Sequence, residues 1–251
     1  MRTRAARLVL IGGGHCHIEV LRRFAVQPEQ EVEITLISPR ALTPYAGMLP
    51  GMIAGLYGEA DAHVDLARLA QWAGARFVAD RVTQIDLYTK TMTLSDGDVE
   101  AFDHLSLDIG STPDTARVPG AEQHTLGIRP VPPFLAAWRR LQEEAAAGTV
   151  HSIAVVGGGA GGVEMLLAMQ HRLRTSLGNA APRFALITDQ AQLLPEHPPA
   201  VRAYFGRLLV AREVVLHLNS GAIAVEPGTV IVTHHRRIAV DRIIWATAAG
   251  K

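Results

Sequence analysis

Two stretches of the chain share one rhythm of apolar and polar positions. In "RLVLIGGGHCHIEVL" (residues 7–21) and "SIAVVGGGAGGVEML" (residues 152–166) a short continuous apolar run leads into glycines. Apolar residues at helical spacing follow: Ile18, Leu21 and Phe24 in the first copy, Val163, Leu166 and Leu167 in the second. The pattern predicts a strand, a tight turn and a helix, written twice. A second apolar run follows each helix, "EITLIS" at 33–38 and "RFALIT" at 183–188. Unbroken apolar strands interleaved with helices predict an α/β fold of two βαβ units, with mainly parallel sheets covered on both faces.

Composition narrows the class. At 251 residues, with 48% hydrophobic and 19% charged positions, the chain can bury a large core as one large domain or two modest ones. Net charge is zero, and the arginines (Arg2, Arg4, Arg7, Arg22, Arg23, Arg139, Arg140) are scattered, which argues against nucleic acid as a partner. The apolar run at 8–11 is too short for a signal peptide and ends in glycines, and no stretch is long enough to span a bilayer. Cys16 is the only cysteine, so no intrachain disulfide and no paired-thiol chemistry can arise within one subunit. A reducing, cytoplasmic setting is expected.

The glycines carry the chemistry. In a dinucleotide fingerprint the first permits the tight turn, the second lets backbone approach a pyrophosphate, and the third lets helix and strand pack closely. The phosphates then face the unpaired N–H groups at the helix start. Gly157, Gly159 and Gly162 satisfy all three positions. The first copy has Gly12, Gly13 and Gly14, but His17 stands third, so an outward-turned imidazole or a rearranged helix is expected. A metal held by His15, Cys16 and His17 is the alternative for this segment; adjacent side chains at a helix start diverge, and no metal is expected. Ser38 and Thr188 occupy the places where an acid usually meets the ribose, with Asp189 one residue late. Arg40, and the absence of an acid at 188, leave NAD against NADP open.

Together with "GGGHCH", "TPYAGMLPGMIAG" (43–55), "AHVDLARLAQWAGARFV" (62–78) and "LSLDIGSTP" (105–113), these motifs make the chain resemble the two-dinucleotide-binding-domain flavoproteins of the pyridine nucleotide-disulfide oxidoreductase superfamily. Within it, the chain is most similar to the flavoprotein domain fused to selenophosphate synthetases and, more distantly, to type II NADH dehydrogenases. The resemblance implies two Rossmann-like domains with β-hairpin additions: an FAD-binding domain over residues 1–116, incomplete at its C-terminal return segment, and an NAD(P)-binding domain over 117–251. It places Gly12, Gly13, Gly14, His15 and His17 at the FAD pyrophosphate, and Ser38, Pro39 and Arg40 near the adenosine. Val82 would offer backbone to the adenine. Met48, Leu49 and Pro50 would lie near the isoalloxazine, and Ile109, Gly110 and Ser111 would leave the domain beside the cofactor, Asp108 and Ile109 standing for the usual Ala-Thr. Gly157, Gly159, Ala160 and Gly162 would hold the NAD(P)H pyrophosphate, with Thr188 near its ribose and Glu164 near the nicotinamide. The resemblance continues through "LLPEHPPAVRAYFGRLL" from 193 into a helix, then strands near 214–218 and 230–233. "HHRR" at 234–237 is expected as a solvated hairpin tip.

The departures also matter. The chain ends at Lys251, where a member of the superfamily would return to the FAD domain; a second subunit, as in a homodimer, or a partner protein would cover that gap. A lone Cys16 disfavours disulfide reduction and sulfide oxidation, and the membrane-associating helices of a type II NADH dehydrogenase would lie beyond Lys251. The expected activity is hydride transfer from NAD(P)H to FAD, then electron transfer to an unidentified small-molecule acceptor, with no assignable catalytic side chain. The alternatives are a truncated or regulatory nucleotide-binding module without turnover, and an adenine-nucleotide sensor using only the second motif.

Overall fold

The computed structural model describes residues 4–111 and 115–247. The chain divides into two compact units, Met1–Tyr45 with Glu59–Gly110, and Ala46–Gly58 with Ser111–Lys251.

In the first unit, β1 (Ala6–Ile11) runs through the glycine turn into α1 (His15–Val26), then β2 (Val32–Ile37) and β3 (Leu42–Pro44). A short helix, α2 (Leu49–Ala54), falls in the second unit. The chain resumes the first unit with β4 (His63–Asp65), α3 (Leu66–Trp72), β5 (Arg76–Val78), β6 (Val82–Asp86), β7 (Thr91–Leu94), β8 (Val99–Ala101) and β9 (His104–Leu107). A parallel sheet forms in the order β5-β2-β1-β9, with Leu8 opposite both Ile34 and His104. Side chains alternate along β1. Val9 and Ile11 join Ile37, Met92, Leu94 and Phe102, while Leu10 meets Leu21, Ile34, Leu36 and Leu66. Both faces of the strand are therefore buried, as its unbroken apolar run implies. One face is covered by α1 and α3 and the other by the antiparallel sheet β6-β7-β8. Asp65 begins α3 by accepting the Arg68 N–H, a usual solution for an orphan first-turn donor.

An ion pair ties the start of β1 to the start of β9. Both the guanidinium and the backbone N–H of Arg7 donate to Asp103, at 3.1 and 2.8 Å, and they hold its carboxyl well below the usual carboxylate range. A depressed folded-state pKa contributes stability above the ordinary carboxylate value and loses it as pH falls toward the folded one. Urea midpoints of the native chain and Asp103→Asn are expected to differ at about pH 7 and to converge as the pH is lowered below about 4. A gap that stays constant would remove this ion pair from the acid response.

The second unit adds α4 (Ala121–His124), β10 (Leu126–Gly127), α5 (Val131–Ala146), β11 (Ser152–Val156), α6 (Ala160–Leu177), β12 (Arg183–Ile187) and α7 (Pro199–Ala211). It continues with β13 (Val215–His217), β14 (Ala222–Glu226), β15 (Thr229–Val232), β16 (Arg236–Ala239) and β17 (Arg242–Trp245). Its parallel sheet runs β10-β17-β11-β12-β13, with β14-β15-β16 as a separate antiparallel sheet. The plan of the first unit repeats. Ile153 and Val155 pack with Phe134, Leu166, Met169 and Leu209 of the helices, and Ala154 and Val156 with Val225, Val230 and Val232 of the antiparallel sheet. Leu49 and Ile53 of α2 are buried in the helix-side core.

The "HHRR" segment is only half a hairpin tip. His234 and His235 turn the chain with positive φ, but Arg236 and Arg237 already belong to β16, where Arg237 pairs with Glu226 and Arg236 donates to Ser220.

Candidate functional site

At the end of β1, Gly12 takes φ +94°, a left-handed conformation suited to glycine. A Cβ there would run into the Asp108 carbonyl just beyond β9; one on Gly13 would meet the Leu66 side chain, and one on Gly14 the Asp108 carboxylate. Gly14 cannot cap α1 itself and no acid stands in its first turn. Asp108 supplies the cap from across the turn, its Oδ2 accepting the N–H groups of Cys16 at 2.9 Å and His17 at 3.3 Å. The α1 start thus holds an anion, as a positive helix end should.

The His17 imidazole is not turned outward, one of the two expectations from its place in the fingerprint. It is 1% exposed, and Nδ1 lies 2.7 Å from the Gly12 carbonyl oxygen while Nε2 lies 2.9 Å from the Ser106 hydroxyl. The carbonyl can only accept, so Nδ1 donates. In the second copy the matching carbonyl, that of Gly157, is where a Cβ on Gly162 would collide. One copy closes helix against turn by having no side chain; the other bridges the same gap with a ring. With both nitrogens bonded inside the unit, this imidazole is a brace beneath the loop, not a group facing a ligand, and it points away from the exposed His15 and Cys16. Among the described residues no cluster of His, Cys, Asp or Glu could hold a metal ion.

The second copy repeats the frame with one difference. Gly157 takes φ +130° against the Ala246 carbonyl, as Gly12 does against that of Asp108. Ala246 therefore stands where Asp108 stands, and it has no carboxylate to offer. A Cβ on Gly159 would meet nothing within 4 Å, whereas one on its counterpart Gly14 would meet that carboxylate. The start of α6 has neither a capping side chain nor an acid in its first turn. This is an open cradle of backbone N–H groups of the kind a phosphate fills.

At the end of β12, Thr188 is buried. Its Oγ1 accepts the Gln190 N–H at 3.3 Å and lies 2.8 Å from where a Gly158 Cβ would be. The Thr188 carbonyl accepts from the Ser220 N–H, and the Ser220 hydroxyl accepts from Arg236 at 2.6 Å. A hydroxyl and a guanidinium thus rim this corner. Burial, and then the Arg236 charge, push the His217 imidazole below its ordinary value. Glu164 is exposed, one residue past the first turn of α6.

Other expected contacts are placed as follows. Ser38 is buried and donates to the Arg40 carbonyl; Pro39 and Arg40 are exposed, and Val82 opens β6 opposite Leu94. Ile109 is 73% exposed, Gly110 has φ +75°, and the Ser111 hydroxyl accepts from Arg129. Met48, Leu49 and Pro50 belong to the second unit; Leu49 is buried there and the Met48 carbonyl accepts from Tyr57. Sequence reasoning missed the roles of Ser106, Ser220, Arg236 and the Asp108 carboxylate. For Asp108 a signal existed, since aligning "LSLD" (105–108) with "IIWA" (243–246) after the two glycine motifs sets Asp108 beside Ala246.

Among the described residues no helix is long and apolar enough to cross a membrane. No curated protein sequence matches the chain. Solved structures do match. Reduced CoADR-RHD of Bacillus anthracis has a TM-score of 0.81 at 23% identity, over 99% of this chain and 44% of that one. NDH2 of Plasmodium falciparum in complex with NADH has a TM-score of 0.86 at 14% identity, over 99% and 56%. The water-forming NADH oxidase of Lactobacillus brevis bound to NADH has a TM-score of 0.80 at 17% identity, over 97% and 54%. The chain thus spans about half the length of these structures, and the likeness is one of fold. The sequence profile described as pyridine nucleotide-disulphide oxidoreductase matches residues 6–250. With that match over two α/β units carrying paired glycine turns, the chain belongs to the pyridine nucleotide-disulphide oxidoreductase family.

Proposed function

We propose that the chain is the nucleotide-binding part of an FAD-dependent NAD(P)H oxidoreductase, the first unit taking FAD and the second NAD(P)H. The observation that carries this reading is the pair of turns, each built around a positive-φ glycine and ending in a helix start suited to an anion. The residues fit the groups. At the first turn the α1 N–H donors already hold a carboxylate, and at the second the space beside Gly159 is empty. The two NADH-bound structures that share this fold add support.

In this reading Gly157, Gly159 and Gly162 let backbone approach the nicotinamide dinucleotide's phosphates, and the start of α6 neutralises part of their charge. Thr188, with Ser220 and Arg236 behind it, meets the adenosine side. Gly12 and Gly14 let the first turn pass close against Asp108, and His17 fixes its shape from below. When bound, the flavin and nicotinamide supply the hydride chemistry, and the protein supplies position and electrostatics. Glu164 lies on the helix nearest the nicotinamide, and the electron acceptor is a small molecule in a cytoplasmic setting.

The test is the visible spectrum of the purified chain, reconstituted with FAD, before and after anaerobic addition of NADH or NADPH. Flavin bands that bleach on addition are expected, and the nucleotide that bleaches them names the donor. A chain that takes up neither FAD nor a nicotinamide nucleotide overturns the reading. The second reading, a nucleotide-holding module without turnover, is favoured by the Asp108 carboxylate at the α1 start. It predicts binding without bleaching.

A further inference from the structure

The two turns share a positive-φ glycine and an extended glycine before the helix, and they are unequal in charge. Of the first-turn N–H groups of α1, those of Cys16 and His17 are on the Asp108 carboxylate and that of Ile18 is on the Gly14 carbonyl at 3.1 Å. The same carboxylate fills the space beside Gly14 that is empty beside Gly159. In the second unit Ala246 leaves the α6 start uncapped. A helix start is worth most to whichever anion reaches it, and two anions in contact there repel each other at short range.

We propose that Asp108 is an internal competitor for the dinucleotide at the first turn: its carboxylate occupies the phosphate-facing end of α1, and FAD binds only by displacing it. The inference rests on the first unit being the flavin site. It assigns the two sites different resting conditions, the second open to a phosphate and the first closed by a side chain that must swing away. Asp108 is thus a gating residue for cofactor loading, and it touches none of the reacting atoms.

The test compares the full chain with Asp108→Asn and Asp108→Ala, titrated with FAD and with riboflavin and followed by flavin fluorescence. Asparagine keeps an acceptor for the α1 donors and removes the charge, so it remains informative if the alanine variant is poorly folded. Loss of the like charge is expected to tighten FAD binding by on the order of tenfold, with no gain for riboflavin, which has no phosphate. FAD affinity equal to or weaker than that of the native chain in both variants, or an equal gain for riboflavin, overturns the competition and leaves the flavin reading intact. FAD binding by none of the three chains overturns the flavin reading, and the competition falls with it.

Discussion

Gly162→Ala is expected to cost the second unit about 3 kcal/mol and to weaken nicotinamide-nucleotide binding by at least about tenfold. Its new methyl would press into the Gly157 carbonyl oxygen, and that carbonyl has little freedom to retreat. Gly157 is fixed on the other side by its N–H bond to the Ile187 carbonyl at 2.9 Å and by a φ of +130°. The start of α6 must therefore move away from the turn, taking its N–H groups with it. Gly159→Ala is the discriminating companion. Gly159 has φ −77° and open space around its missing Cβ, so alanine there should leave the urea midpoint nearly unchanged while its methyl obstructs the phosphate. Calorimetric titration with NADH and NADPH beside urea unfolding separates the two. Equal midpoints for Gly162→Ala and the native chain would overturn the close-approach argument; undiminished affinity in Gly159→Ala would overturn the cradle.

His17→Ala is expected to destabilise the first unit by about 2–4 kcal/mol. The substitution opens a cavity beneath the turn and leaves both the Gly12 carbonyl and the Ser106 hydroxyl without their ring partner. Restoring the fingerprint with His17→Gly should not recover the loss. The frame has been built around a side chain, and glycine adds backbone freedom inside α1 at a further cost of about 1 kcal/mol. His17→Asn, short of one nitrogen's reach, should fall between. Urea midpoints of the three variants decide the matter. A His17→Gly chain as stable as the native one would mean that the helix can settle onto the turn as it does at Gly162, and that the imidazole braces nothing.

Much of this architecture is legible in the chain. The duplicated apolar-glycine-apolar rhythm marks β1 with α1 and β11 with α6, and the continuous runs at 33–38 and 183–188 mark β2 and β12, because strands buried on both faces have no polar positions to spare. What covers those faces is less visible. The short antiparallel strands around Met92 and Val230 are half polar, and they reveal themselves only once they stand against the parallel sheets. The behaviour of His17 was hidden for another reason. Its partner Ser106 lies far along the sequence on β9, the neighbour of β1 in the sheet, and no local pattern announces such a bond. The same distance concealed Asp108 as a cap. The helix α2 was hidden by its length: in six residues only Leu49 and Ile53 mark a helical spacing, and both are buried in a hydrophobic core.

That small helix also bears on how the protein is made. Because α2 is buried with α6, which begins only at Ala160, it leaves the ribosome well before its partner exists. A domain made as one continuous stretch can fold as it emerges; the second unit cannot, since one of its parts precedes most of the first. Leu49 and Ile53 therefore have no core to enter until α6 has been made. By the same logic, a gene fragment starting at Ser111 would encode both sheets of the second unit and helices α4 to α7 with an uncovered greasy flank. Adding residues 46–58 back as a separate peptide should restore its solubility.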